Sequence, residues 1–148
     1  RLALKSLPAW LKRRQEIAAS LTSVCRGFAA IRVPVPGPSV TPAYYRFYFF
    51  VEETLLRSDW TRNRLVRELR NLGINCGVGS CGEIFRESAF PPHWRPRNPH
   101  PIARQMARES IAISIAPNWS DSYLDYVVGS LATVLSSASP IKSNSRAA

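Results

Sequence analysis

The sequence predicts an α/β fold: a small three- or four-stranded mixed sheet with helices packed mainly on one face, preceded by a long N-terminal helix. Two observations predict it. Apolar residues recur at three- and four-residue intervals in four segments, and three short segments between them form continuous or alternating apolar runs. This alternation favours a sheet layered with helices. The 148 residues fit a single domain, predicted over residues 1–137, with a disordered tail over 138–148.

The first helix is predicted over residues 7–28, starting near Ser6 and Pro8. The connector over 33–43 contains four prolines, which restrict themselves and their predecessors to extended geometry. The apolar stripe of the helix comprises Leu7, Leu11, Ile17, Ala18, Leu21, Val24 and Phe28.

The clearest strand is predicted over residues 44–52. Both of its faces are largely apolar, which is typical of a central strand covered on two sides. Arg46 is the polar exception. It is interpreted either as a strand-end arginine that reaches solvent or as one that contacts an anion.

A helix over residues 60–72 follows, capped by Ser58 or Asp59 and stopped by Gly73. A strand over 74–78 then completes a βαβ unit. Such a unit predicts a right-handed crossover between two parallel strands.

A small-residue loop runs from Gly73 to Glu87, and its Gly77, Gly79 and Gly82 are expected to give positive φ or close backbone approach. Loops at strand ends commonly contact ligands. A tight connection between two elements explains the same spacing. The next segment, over 89–101, is rich in Pro, Arg and aromatic residues, and is interpreted as a lid or interface loop or as a mobile insertion.

The last third predicts a helix over 102–109, a half-buried strand over 110–116 that runs antiparallel to the other two, and a helix capped by Ser120. From Ser136 the chain turns small and polar, which predicts a frayed tail.

The net charge of +10 favours polyanionic partners, but the dense stretch from Arg57 to Arg70 also fits a helix with a solvated basic face. No apolar run reaches the roughly 18 residues of a membrane span. The start of the chain does not resemble a signal peptide, and it begins at Arg1 without an initiator Met, which favours an excised domain over a natural N-terminus.

Three cysteines cannot all pair with one another, and neither histidine has ligand spacing, so no metal site is predicted. Reduced cysteines indicate a cytoplasmic setting. Cys81 is interpreted either as a small buried residue or as a reactive thiol.

Four stretches appear in a characteristic order: a helix from Leu7 to Ala18 with paired arginines, an aromatic strand from Ala43 to Tyr48, a helix end from Leu69 to Ile74, and a strand, proline and helix from Ser110 to Val128. In this order they resemble the C-terminal small domain of the DegT/DnrJ/EryC1/StrS sugar aminotransferases. The loop from Gly79 to Phe90 is similar to one in a branch associated with surface-polysaccharide sugars. Arg46 stands where many members carry histidine.

The resemblance implies the small domain of a fold-type-I enzyme that uses pyridoxal phosphate to aminate a nucleotide-linked keto-sugar. Residues 1–30 would be the interdomain helix, and the full-length enzyme would be a homodimer. The N-terminal cofactor-binding domain, with its catalytic lysine, would be a missing partner. Lys5 and Lys12 lie at the first helix and Lys142 in the tail. We therefore predict no catalytic residue here, no cofactor bound by this chain alone, and no activity in isolation.

The chain is expected to supply one wall of the substrate cleft. Ser80 and Glu83 are predicted to hydrogen-bond sugar hydroxyls or the amino group, Phe85 to pack on an apolar ligand face, and Arg46 or Arg86 to meet a phosphate. A competing interpretation pairs Glu83 with Arg86 at i, i+3 in a helical turn.

A basic α/β module that binds nucleic acid is the alternative function, because exposed aromatics on a strand can stack bases. The aromatics fall on both faces of one strand, however, which indicates burial and makes a nucleic-acid partner the less favoured interpretation. A degenerate or regulatory stand-alone domain of the same descent is a third hypothesis.

Overall fold

The computed structural model describes residues 2–79, 81–96 and 98–140, and it confirms the predicted α/β class. Short 3-10 turns over Glu53–Leu55, Ile84–Arg86 and Pro92–Trp94 lie in the connections. The helices are α1 (Leu2–Arg26), α2 (Arg62–Asn71), α3 (Pro101–Glu109) and α4 (Asp121–Ala138), and the strands are β1 (Ile31–Arg32), β2 (Arg46–Val51), β3 (Cys76–Val78) and β4 (Ser110–Ser114).

The described strands form one sheet in the order β1-β2-β4-β3, and every neighbouring pair is antiparallel. Because β2 and β3 both run antiparallel to β4, they point the same way, as predicted. They are not neighbours, however, since β4 lies between them. The sheet is therefore antiparallel rather than mixed. Apolar alternation marks β4 as a strand, but it does not say between which strands β4 is inserted.

The core lies between the sheet and helices α1, α2 and α4, which confirms that helices cover mainly one face. Phe47, Phe49 and Val51 of β2 are buried there. The other side, called here the open face, carries Tyr48 and Phe50 half-buried. β2 is a central strand, as predicted, since it lies between β1 and β4, but its second face is only partly covered. The buried core residues of β4 and its continuation are Ile111, Ile113 and Ile115.

Helix α1 begins five residues earlier than the predicted helix, at Leu2, and Pro8 lies inside it. Leu7 was expected in the core stripe, but it is exposed, as are Leu4 and Trp10. The buried part of α1 starts at Ile17. The first turns of α1 therefore extend beyond the core of the described residues.

The ends of α2 show which local signals act. Thr61, rather than Ser58 or Asp59, is the N-cap, and its side chain accepts a hydrogen bond from the backbone N–H of Arg64. Gly73 ends the helix as predicted, with φ of 74°. Its N–H donates to the carbonyl of Arg70, and the N–H of Ile74 donates to the carbonyl of Leu69, the paired bonds of a Schellman motif.

The side chain of Ser120 caps α4 as predicted, accepting from the N–H of Tyr123 at 3.1 Å. The helix continues to Ala138, and both Ala138 and Ser139 are buried. The polar stretch from Ser136 therefore begins within the folded domain, and the predicted tail boundary at 138 is too early. Residues 141–148 of the predicted tail lie outside the described residues.

Candidate functional site

Glu83 has a buried side chain, with none of its surface exposed. One carboxylate oxygen, Oε1, accepts a hydrogen bond from the backbone N–H of His100 at 2.7 Å. The other, Oε2, accepts from Arg86 Nε at 2.6 Å and from Arg104 Nε and Nη2 at 3.0 and 2.8 Å. The His100 N–H, aided by both arginines and opposed by burial, lowers the pKa of the Glu83 carboxyl from 4.5 to about 2.

These contacts close the segment from Glu83 to His100, called here the 83–100 loop, because its first residue is bonded to its last. Arg104 adds an anchor on α3, one turn beyond the loop. The ion-pair interpretation of Glu83 and Arg86 is confirmed. The expectation that Glu83 meets sugar hydroxyls is not supported by this geometry, since the carboxylate is enclosed by its own donors.

The neighbours of Glu83 remain more accessible. Phe85 is half-buried and packs edge-on against the imidazole of His100, with ring centroids 5.6 Å apart. Arg86 pairs with Glu83 but leaves 58% of its side chain exposed. Cys81 is exposed, so its interpretation as a small buried residue is wrong. Ser80 lies outside the described residues.

Gly79 leads from β3 into this loop and passes directly over Tyr48 on the open face. A Cβ at Gly79 would stand 2.9 Å from the Tyr48 ring and 3.0 Å from Ser110 Cβ. Close approach is therefore the reason for glycine here, as predicted. Among the described glycines positive φ occurs at Gly73, so Gly77, Gly79 and Gly82 do not fulfil that part of the expectation.

Arg46 lies at the other end of the open face. Its register partner is Ser114, whose N–H donates to the carbonyl of Asn75 at 2.9 Å. These residues line a polar pocket of about 240 Å³ together with Arg70. Arg70 is not singled out by the sequence, because nothing in its position on the basic helix distinguishes it from an arginine that only faces solvent.

A larger apolar cleft of about 450 Å³ borders the same arginine. The Pro-rich connector forms one side of it and the start of β2 forms the other. Tyr44, within the cleft, has φ of 45°, a left-handed conformation that is costly for a bulky residue. The lining residues are Pro34, Val35, Pro36, Pro42, Ala43, Tyr44, Tyr45, Arg46, Phe47 and Tyr48.

The predicted site residues therefore form two groups and not one. Gly79 hydrogen-bonds to Ser110, the register partner of Phe50, so the 83–100 loop starts near the Phe50 end of β2. Arg46 is four residues away along the strand, about 14 Å at the usual rise. The open face connects the two groups.

The aromatic strand does not form the platform that base stacking needs. Phe47 and Phe49 are buried in the core, Tyr48 lies under Gly79, and the guanidinium of Arg32 is 4.4 Å from the centre of the Phe50 ring. Tyr45 is exposed. In the described parts of the chain, no three His, Cys, Asp or Glu side chains converge to hold a metal ion, and no helix is long and apolar enough to cross a membrane.

Comparison with solved structures shows that this fold is the small-domain fold of aminotransferases. An aminotransferase from Psychrobacter cryohalolentis matches with a TM-score of 0.83 and 30% identity, over 92% of this chain and 37% of that one. A DegT DnrJ EryC1 StrS aminotransferase from Brucella abortus matches with a TM-score of 0.68 and 15% identity, over 86% and 32% of the two chains.

PseC of Helicobacter pylori, an aminotransferase involved in the biosynthesis of pseudoaminic acid, has a TM-score of 0.73 at 13% identity, over 90% of this chain and 35% of that one. These neighbours confirm the fold that the resemblance to the small domain of DegT/DnrJ/EryC1/StrS aminotransferases predicts. The chain spans about a third of the length of each, consistent with a C-terminal small domain. No protein-family model matches the chain.

Proposed function

We propose that this chain is the C-terminal domain of a nucleotide-sugar aminotransferase and supplies one wall of its substrate cleft. The observation that carries the proposal is the match to an aminotransferase at 30% identity over 92% of this chain but only 37% of the other. The open face, with a basic residue group at each end, is the surface that we assign to the cleft wall.

The described residues do not form a complete pyridoxal-phosphate site. Amine transfer through that cofactor needs a lysine to hold it covalently. Lys5 and Lys12 are both exposed on α1, and neither lines the two pockets that border Arg46. Lys142 lies outside the described residues. We therefore assign the cofactor and its lysine to an N-terminal domain.

In the proposed assembly this chain binds and orients the ligand. Arg86 and Arg46 face solvent with guanidinium groups suited to phosphate, and Phe85 offers a half-buried ring for an apolar ligand face. Ser80 remains a proposed hydrogen-bond partner for the sugar. The proposed substrate is a nucleotide-linked keto-sugar for surface-polysaccharide biosynthesis, and the proposed whole enzyme is a homodimer.

The decisive experiment uses the complete reading frame that encodes this chain. Its product should aminate one of a panel of UDP-, dTDP- and GDP-linked keto-sugars when pyridoxal phosphate and an amino-acid donor are supplied, as followed by mass spectrometry. A reading frame that encodes no lysine-bearing domain, in the same chain or beside it, would sink the proposal.

A second experiment tests whether the cofactor is held by another domain and not by this chain. The 148-residue chain, mixed with pyridoxal phosphate and reduced with borohydride, should give no stoichiometric adduct on a single lysine. Such an adduct at Lys5, Lys12 or Lys142 would show that the chain holds the cofactor itself. Oligonucleotide titration at several salt concentrations checks the alternative, since tight binding with a steep salt slope would favour nucleic acid.

A further inference from the structure

Two strands, β2 and β4, and the residue that precedes β3 place polar groups in one row at an end of the open face. Arg46 of β2 faces Ser114 of β4 across the sheet, and Asn75 comes next, held by the hydrogen bond from Ser114 N to its carbonyl. In the following row, Ala112 and Gly77 are register partners. Because these two are the smallest residue types, the β3–β4 part of this row forms a floor below the level of the first row, and Tyr48, the β2 member of the row, stands beside that floor.

Arg70 reaches this floor from α2, around the edge strand β3. Its Nε donates to the carbonyl of Cys76 at 2.8 Å. Its Nη2 lies 3.0 Å from where a Cβ of Gly77 would stand, so the missing side chain makes room for the guanidinium. The contact with Cys76 uses one of the five N–H donors of the Arg70 guanidinium and fixes the orientation of that group. Its two Nη groups are left to donate to another acceptor.

The pocket between these groups holds two positive charges and no negative one. None of the residues that line it is acidic. Within residues 2–79, 81–96 and 98–140, neither Arg46 nor Arg70 forms an ion pair, whereas Arg64 and Arg67 on the same helix share Glu68. One guanidinium held by the backbone, that of Arg70, and a second one free to adjust, that of Arg46, lie beside amide and hydroxyl side chains, an arrangement suited to phosphate oxygens.

The size of the pocket fits one group of a ligand. Its volume of about 240 Å³ is below the ~300–1,000 Å³ of sites that enclose a whole small molecule. The apolar cleft of about 450 Å³ falls within that range and shares Arg46 with it. A ligand with a ring in the cleft could therefore place an attached phosphate between Arg46 and Arg70.

We propose that Arg46, Arg70, Asn75 and Ser114 form a phosphate-binding subsite, and that the neighbouring cleft of prolines and tyrosines takes the ring system joined to that phosphate. This proposal rests on the proposed function in so far as the phosphate belongs to a nucleotide-linked sugar. The shared chemistry is a phosphate group, which a nucleoside diphosphate or a monophosphate such as pyridoxal phosphate would also supply.

The test is calorimetric titration of the 148-residue chain with inorganic pyrophosphate, UDP and pyridoxal phosphate at low and moderate salt. Pyrophosphate should bind, and Arg46→Ala and Arg70→Ala should each weaken it about tenfold or more, as expected for charge-assisted hydrogen bonds. Arg67→Ala is the matched control, because it removes the same charge one turn away on α2 and should change affinity less than about twofold.

Comparing ligands that carry different rings shows which kind of molecule supplies the phosphate. UDP binding tighter than pyrophosphate, and weakened by Tyr45→Ala, identifies a nucleotide in the cleft; tighter binding of pyridoxal phosphate identifies the monophosphate. Amide chemical shifts of Asn75, Gly77 and Ser114 should move with saturation. These shifts also locate binding in the unmodified chain, should Arg70→Ala fail to fold.

Absence of pyrophosphate binding at low salt overturns the subsite, as does an Arg67→Ala loss equal to that of Arg70→Ala. The proposed function fails separately. If the whole protein aminates a nucleotide sugar and Arg70→Ala leaves its KM unchanged, the subsite is wrong and the function stands. If pyrophosphate binds at these residues and no keto-sugar is aminated, the subsite stands and the function is wrong.

Discussion

The guanidinium of Arg104 donates two hydrogen bonds to one oxygen of Glu83, from Nε at 3.0 Å and from Nη2 at 2.8 Å. Arg86 reaches the same oxygen, so one buried carboxylate is shared by two cations. This arrangement holds the 83–100 loop to α3 and places one more positive than negative charge at the ion-pair cluster. Four experiments follow from it and from the neighbouring packing.

Glu83→Gln should release the 83–100 loop without unfolding the sheet. The neutral amide keeps the size of the side chain but removes the negative charge that strengthens these hydrogen bonds. Its NH2 group would also face the N–H donors of Arg86, Arg104 or His100, to which it cannot bond. Amide hydrogen exchange in residues 84–96 should accelerate about tenfold or more. Glu87→Gln, on the same loop and exposed, should leave exchange unchanged; equal effects of the two substitutions would contradict the assigned role of Glu83.

Acid should open the same loop. The folded-state pKa of Glu83 is lowered to about 2 from 4.5, so its stabilisation is fully present above pH ~4.5 and is lost as the pH falls towards 2. The exchange of the 83–100 amides, or cross-peaks between the Phe85 and His100 rings, should report the transition. Glu83→Gln should abolish this pH dependence, and a transition that persists in the variant would assign it to another group.

Gly79→Ala should destabilise the protein by roughly 1–3 kcal/mol, because the new methyl group overlaps the Tyr48 ring. Gly129→Ala is the matched control, since Gly129 lies inside α4 and a methyl group added there would meet nothing within 4 Å. That control should stabilise the protein by about 0.5–1 kcal/mol through helix propensity. Urea unfolding measures both, and similar signs for the two substitutions would contradict the packing argument.

Thr61→Ala should cost about 1 kcal/mol, because the hydroxyl satisfies the N–H of Arg64 at the start of α2. Ser58→Ala removes the same type of group from the position first expected to cap the helix. It should have almost no effect on the urea midpoint. A larger loss for Ser58→Ala than for Thr61→Ala would move the cap back to the earlier residue.

Features set by neighbouring residues could be predicted from the sequence. Gly73 ends α2 because the left-handed turn there favours glycine, and Ser120 caps α4 because a hydroxyl at that position meets the N–H of Tyr123. The pairing of Glu83 with Arg86 was also a local possibility at i, i+3. In each case the spacing alone brings the groups together.

Features that join distant segments could not be predicted in this way. Arg104 and His100 reach Glu83 from the far end of a proline-rich loop. No repeating pattern in the sequence indicates that the two ends of this loop come together. The insertion of β4 between β2 and β3 likewise depends on tertiary packing. Arg70 and Arg46 line one pocket with β4 residues between them, so this pocket is a property of the strand order.

The same strand order has a consequence for how the protein folds during synthesis. In the finished sheet β2 pairs with β1 and β4, and β3 pairs with β4, so one edge of β2 and the pairing of β3 both wait for β4, and Arg46 finds its register partner only when Ser114 has been made. Nascent chains that stop before residue 110 should hold helices but no closed sheet, with the aromatic segment 47–51 unprotected. The domain would then become resistant to proteases and to aggregation only after β4 has closed the sheet and α4 has completed the core.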